Sequence, residues 1–367
     1  MSGPRPRPGI LEIKPYVGGK ATLAGGQPVV KLSSNESAVG ASAKAIAAYR
    51  EEASRLHRYP DGACTALRGK IAQRYNLDAE RIVCGAGSDE LIGLLARAYA
   101  GPGDEVLHSA HGFLMYRLAA LAAGAHPVAA PETPELRADV DGLLARVTSR
   151  TRILFLANPN NPTGSYLTGA ELARLHAGLP EEVLLVIDAA YAEFVDAPDY
   201  SAGQELALAC ANVVMCRTFS KLHGLAALRL GWMAGAAEIV DMINRSRGPF
   251  NVSQPAQAAG IAALDDLDHQ DRAREHNRRW LPWLHDAISA LGLKVWPSVG
   301  NFLLVEFPRE AGRDAASARA ALEEAALLVR EMDAYGLGHC LRITVGLEDE
   351  NRRLIAALAD FVRRGGG

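Results

Sequence analysis

Nowhere in the chain is there a run of about 18 apolar residues, so no membrane-spanning helix is expected. The start, Pro4-Arg5-Pro6-Arg7-Pro8-Gly9, lacks the apolar stretch of a secretory signal. Cysteine is sparse. Cys64, Cys84, Cys210, Cys216 and Cys340 are odd in number and include no CxxC pair, which points to a reducing, cytoplasmic home. Charge is nearly balanced at -3, so nothing draws the chain generally to nucleic acid or anionic membrane, and an anionic ligand has to be held by a few placed groups. No GxGxxG follows an early strand with an acid about 20 positions later, which removes a nicotinamide dehydrogenase. Internal repeats are missing too.

What is present is ordinary globular material, 49% hydrophobic and 22% charged, long enough for one large domain and a smaller one. Short apolar runs at 81–84, 105–108, 152–157, 183–187, 212–216 and 230–234 read as strands, and amphipathic helical stretches separate many of them. The fold class is therefore α/β, a mostly parallel sheet between helices. Beyond about residue 260 the pattern changes to a charged helical stretch at 265–279, strands at 294–307 and 340–345, and a helix at 315–326, a smaller α+β domain. We divide the chain into an N-terminal arm at 1–35 that joins the small domain, a large domain at 36–260 and a small domain at 261–367. Ligands of such sheets bind beyond the carboxyl ends of the strands, so the residues following each run carry the functional information.

Three such segments carry chemistry. Gly85-Ala86-Gly87-Ser88-Asp89-Glu90 follows a strand and opens a helix. Its amides at Gly87, Ser88 and Asp89 suit a phosphate, and equally a tight turn with Ser88 as N-cap. The loop Asn158-Pro159-Asn160-Asn161-Pro162-Thr163-Gly164 is rigid and non-helical, and after it comes Leu184-Leu185-Val186-Ile187-Asp188-Ala189-Ala190-Tyr191, with a carboxylate at the end of an apolar strand. A buried acid needs a cationic partner, and a protonated pyridine nitrogen supplies one. The third segment, Thr218-Phe219-Ser220-Lys221, adds a lysine, a flanking hydroxyl and, eight residues on, Arg229.

In this order and spacing the chain resembles the fold-type I aminotransferases dependent on pyridoxal phosphate, and more narrowly the histidinol-phosphate aminotransferase family. The likeness runs from Ile13-Lys14-Pro15-Tyr16 and Leu32-Ser33-Ser34-Asn35-Glu36 through Arg58-Tyr59-Pro60-Asp61 to Cys340-Leu341-Arg342-Ile343-Thr344-Val345-Gly346. It implies that Lys221 holds the cofactor as a Schiff base and moves the substrate proton, and that Asp188 keeps the pyridine nitrogen protonated. Asn161 and Tyr191 would bond the phenolic oxygen, and Phe113 would stack on the ring. The phosphate would rest on Gly87, Ser88 and Asp89 with Ser220 and Arg229. Tyr59 matches a residue that reaches this phosphate from a neighbouring subunit, which implies a homodimer with shared sites.

For substrate the resemblance implies Arg330 and Arg342 as anion partners, with Tyr16 and Asn35 closing over the ligand. A guanidinium fork suits both a carboxylate and a phosphate. The expected reaction passes an amino group between glutamate and histidinol phosphate, in histidine biosynthesis; aromatic transamination and decarboxylation of a phosphorylated amino acid are the alternatives on the same scaffold. Two departures concern pocket detail: His111 stands where a proline or small residue is common, and Ser37-Ala38 replaces the frequent Asn-Pro. His57, His111 and His223 receive no role.

Overall fold

The computed structural model describes every residue except 1, 2, 5, 16, 17, 24–27 and 365–367. A seven-stranded sheet occupies the centre, in the spatial order Ile82–Gly85, Gly231–Gly235, Val213–Thr218, Leu184–Asp188, Thr151–Ala157, Glu105–Ser109, His126–Ala130. All neighbours run parallel except Gly231–Gly235, which is antiparallel to both strands beside it. Six of these strands match the apolar runs of the sequence. The seventh does not: His126-Pro127-Val128 carries a proline that disqualifies a central strand, and this strand lies at the sheet edge, where a missing N–H is tolerated.

Because successive side chains of a strand point to opposite faces, each apolar run feeds two cores. Leu154, Leu156, Leu185, Ile187, Val213 and Met215 pack into one, with the helices Thr65–Tyr75, Gly169–Ala177 and Gln254–Asp265. Ile153, Phe155, Ala157, Leu184, Val186, Val214 and Cys216 pack into the other, with Ser88–Tyr99 and Leu114–Ala123. The alternation places Asp188, at the end of its strand, on the second face beside Tyr116.

A four-stranded antiparallel sheet, ordered Arg330–Glu331, Cys340–Thr344, Phe302–Glu306, Lys294–Trp296, forms the centre of a third core. The stretch 294–307 is two strands and not one, since Pro297 and Gly300 interrupt it. Val30 and Leu32 belong to this core, where Val30–Lys31 pairs in parallel with Leu327–Leu328. Helix Leu267–Ser289 follows Gln254–Asp265 across a break at Asp266, and Ser42 donates to the Asp266 carboxylate at 2.6 Å. Among the described residues no helix is long and apolar enough to cross a membrane.

Candidate active site

Beyond the carboxyl ends of the parallel strands lies a cavity of about 300 Å³. It is lined by Asn35, Ser88, Asp89, Phe113, Asn161, Asp188, Tyr191, Ser220, Lys221, Arg229, Arg330 and Arg342, twelve of the fifteen residues singled out from sequence. Gly87 sits just behind Ser88. Tyr59 lies elsewhere, 83% exposed and stacked on Phe250 with ring centroids 4.7 Å apart. Tyr16 falls outside the described residues.

Asp188 is buried, and Tyr116 Oη donates to its Oδ2 at 2.9 Å. Its Oδ1 is buried with no hydrogen-bond partner among the described residues, a costly arrangement for an ionised acid. Burial raises the Asp188 pKa to about 6, against the lowering effect of the Tyr116 hydrogen bond. Across the cavity Lys221 Nζ donates to Ser34 O at 3.3 Å. Burial, reinforced by the field of Arg342, lowers its pKa to about 8, which gives a sizeable neutral, nucleophilic fraction near physiological pH.

Two donors flank these groups. Asn35 Nδ2 donates to Tyr191 Oη at 2.9 Å, which leaves the Tyr191 hydroxyl hydrogen for the cavity. Arg342 Nη1 donates to Asn161 Oδ1, so the Asn161 amide keeps its NH2 for the same space. Asn35 is held in the left-handed region (φ 54°), which asparagine tolerates, by Thr344: its N–H donates to Thr344 Oγ1 at 2.9 Å.

The end of the cavity nearest helix Ser88–Tyr99 gathers groups that can donate hydrogen bonds to an anion. The N-cap of this helix is Gly87, not Ser88, and no side chain caps it, so the first-turn amides are left for a ligand. Gly87 has φ +86°, and a Cβ there would lie 2.5 Å from Arg229 Nη2. Arg229 is fixed by donating to Ala226 O at 2.9 Å and to Asp89 Oδ2 at 3.2 Å. Thr218 Oγ1 donates to Ser220 Oγ at 3.0 Å and accepts from Ser220 N at 3.1 Å, which orients that hydroxyl.

Sequence reasoning passed over Tyr116, Thr218, Tyr335 and the Lys31–Glu36 ion pair (2.8 Å); the last four line the cavity. Strand alternation carried a signal for Thr218 and helical spacing from Phe113 one for Tyr116. For Tyr335 there was none. None of the described lining residues is a histidine. His111 Nδ1 pairs with Glu132 Oε2 at 2.7 Å, and His223, buried with its pKa lowered to about 4, rests on Phe219.

The sequence profile described as "Aminotransferase class I and II" matches residues 27–358. This chain belongs to that family. Within it, a histidinol-phosphate aminotransferase of Paramagnetospirillum magneticum is 58% identical over 362 residues, 99% of each chain. One from Rhodospirillum centenum is 55% identical over 363 residues, 99% of this chain and 100% of the relative. Among solved structures, the histidinol-phosphate aminotransferase of Sinorhizobium meliloti in complex with pyridoxal-5'-phosphate superposes with a TM-score of 0.88 at 29% identity, covering 96% of both chains. The large parallel sheet with a smaller α+β unit is thus the aminotransferase fold.

Proposed function

We propose that this chain is a pyridoxal-phosphate-dependent histidinol-phosphate transaminase, exchanging the amino group between glutamate/2-oxoglutarate and histidinol phosphate/imidazole-acetol phosphate in histidine biosynthesis. The observation that carries it is the presence, in one cavity, of an amine and a carboxylate displaced toward each other's range together with two arginines on adjacent strands.

The residues fit the cofactor. Asp188 Oδ1 offers a buried, unpartnered acceptor for a pyridinium N–H, and the open amides behind Gly87 with Ser220 and Arg229 offer a phosphate cradle. Bound there, pyridoxal phosphate supplies an electron sink for the charge left when the substrate loses a proton from its amine-bearing carbon. Lys221 Nζ is the base that takes that proton and returns it at the other position. Asp188 Oδ1 would hold the ring-nitrogen proton in place. Tyr191 and Asn161 would donate to the phenolic oxygen and favour its anion, and Phe113 would pack on the ring face.

Substrate recognition rests on Arg330 and Arg342. A phosphate monoester carries close to two charges and three acceptor oxygens at neutral pH, more than one guanidinium can satisfy, whereas a carboxylate occupies one fork. The same pair serves both half-reactions. The exposed Tyr59–Phe250 stack, with Tyr49 and Leu56 also exposed, supports a homodimer in which Tyr59 reaches the partner's phosphate cradle. Near-neutral charge, scattered free cysteines and an anion-binding cavity suit a cytoplasmic biosynthetic enzyme.

The test is the visible spectrum of the purified protein with pyridoxal phosphate, titrated with glutamate and then with histidinol phosphate. Conversion of the bound cofactor to its amine form by both donors is the expected result. Conversion by tyrosine or phenylalanine but not by histidinol phosphate would replace this reading with aromatic transamination; conversion by neither glutamate nor histidinol phosphate would remove it.

A further inference from the structure

We infer that Tyr116 is a positioning residue that holds, through one buried ring, both the aromatic that covers the cofactor's face and the carboxylate that meets its nitrogen. The inference rests on the pyridoxal-phosphate reading of the cavity. Tyr116 does not line the cavity and is fully buried, so it touches no substrate. Its hydroxyl donates to Asp188 Oδ2 at 2.9 Å. Its ring stacks on Phe155 at 4.9 Å and 7°, and meets Phe113 edge to face at 5.8 Å and 85°.

The connection follows from local geometry. Phe113 caps helix Leu114–Ala123 and Tyr116 lies three residues on, in its first turn, where i and i+3 side chains are neighbours. Tyr116 N–H donates back to Phe113 O at 3.0 Å. On the sheet side, Phe155 and Asp188 belong to adjacent parallel strands and share the second face, with Ala157 and Asp188 register partners. The flat stack on Phe155 therefore fixes the Tyr116 ring against the sheet, and the ring in turn sets the rotation of the Asp188 carboxyl. With Oδ2 occupied, Oδ1 is the acceptor left for the ring nitrogen. Asp188 also depends on this bond for its charge, since burial favours the neutral acid and the Tyr116 hydroxyl opposes it.

The test compares wild type, Tyr116→Phe, Asp188→Asn and the double variant by three readouts: melting temperature of the apoprotein, dissociation constant for pyridoxal phosphate from visible absorbance, and the pH midpoint below which that affinity is lost. Tyr116→Phe keeps the ring and its stacking, so the apoprotein should melt within a few degrees of wild type. Its affinity should fall about 10-fold or more, the usual worth of a hydrogen bond to a charged group, and its acid midpoint should move to higher pH. In the Asp188→Asn background the same change should have little further effect, because the bond acts through the carboxylate. Equal affinity and an unmoved midpoint in Tyr116→Phe, or a full 10-fold loss persisting in the double variant, would overturn the inference. Absence of any visible band in wild type would instead sink the cofactor reading itself.

Discussion

Arg330 and Arg342 are register partners across the antiparallel strands Arg330–Glu331 and Cys340–Thr344, and both line the cavity that holds Lys221. Like charges directly opposite each other weaken a strand pair, so this register carries a cost that an anionic ligand between the two would offset. Arg342 is further engaged, donating to Asn161 Oδ1 and to Ser33 O (2.9 Å), which couples its position to that of Asn161.

The two arginines should therefore separate the substrates. Arg330→Gln removes half of the clamp on a phosphate dianion while Arg342 still serves a carboxylate. We expect kcat/KM for histidinol phosphate to fall roughly 30- to 100-fold and that for glutamate by less than about 10-fold, on the scale of one charged hydrogen-bonding fork. Arg342→Gln should depress both, since it also frees Asn161 to turn. Steady-state kinetics with each donor decide it; equal losses for both substrates in Arg330→Gln would contradict the division.

The carboxylate is held for function at a cost to stability. With a folded pKa near 6, above the unfolded value near 4, Asp188 favours the folded apoprotein in acid, and that contribution is lost as pH rises through about 6. At pH 7.5 it is mostly ionised and buried, with no hydrogen-bond partner at Oδ1 among the described residues. Asp188→Asn keeps the shape without the charge and should stabilise the apoprotein at that pH by up to about 3 kcal/mol, a rise of a few degrees in Tm, while abolishing turnover. The gain should vanish near pH 4, where both forms are neutral. Differential scanning calorimetry of the two apoproteins at both pH values tests the sign.

Lys221 shifts the other way. Burial holds its amine near 8, so the neutral, nucleophilic form is fully populated two pH units earlier than for an ordinary lysine near 10.4. The rate at which apoprotein captures pyridoxal phosphate should climb with pH through about 8 and level off above 9. A rate still climbing at pH 10 would mean that the amine is not perturbed. Lys221→Ala should show no lysine-linked absorption band, with kcat lower by about 10³-fold or more, as for loss of both a nucleophile and a proton carrier.

How much of this was legible beforehand depends on the kind of residue. Asp188 announces itself because a charged side chain terminates an otherwise apolar strand, and Lys221 because it follows the neighbouring strand Val213–Thr218 by three residues; strand order then brings the two together. Tyr116 is only half legible: its spacing from Phe113 puts it on the same helix face, but inside Leu114-Met115-Tyr116-Arg117-Leu118 it reads as core, and only the juxtaposition of Phe155 and Asp188 on neighbouring strands gives its hydroxyl a partner. The arginine pair is similar. Each could be matched singly, but their pairing depends on the register of strands separated by the turn Asp333–Tyr335, which no local pattern encodes. Strand His126–Ala130 is not one of the apolar runs read as strands, and its Pro127 is tolerated only because the strand lies at the sheet edge.

The phosphate cradle depends on backbone as much as on side chains. Gly87 has φ +86° and ψ 163°, a conformation essentially restricted to glycine, and a Cβ would press on the Arg229 guanidinium. Gly87→Ala should weaken pyridoxal phosphate binding by about 10- to 100-fold while leaving the affinity of holoenzyme for glutamate nearly unchanged, if the substrate carboxylate meets Arg342 as proposed. Equilibrium titration of the apoprotein with pyridoxal phosphate reads the first effect and glutamate KM at saturating cofactor reads the second.

Tyr59 supplies the last prediction, because it lies outside the cavity of its own chain. Its ring is 83% exposed and stacked on Phe250, although the resemblance assigns it to a phosphate cradle. If each cradle borrows Tyr59 from the other subunit, a Tyr59→Ala chain carries an intact Lys221 and lacks its phosphate partner only when it pairs with itself. Paired with a Lys221→Ala chain, it receives a native Tyr59 and one complete site forms per mixed dimer. Co-refolding equal amounts of the two variants should then restore, at low cofactor concentration, about one quarter of the wild-type activity per dimer, as random pairing makes half the dimers mixed and each holds one of two sites. Activity no higher than the mean of the two separate variants would place Tyr59 outside the shared site.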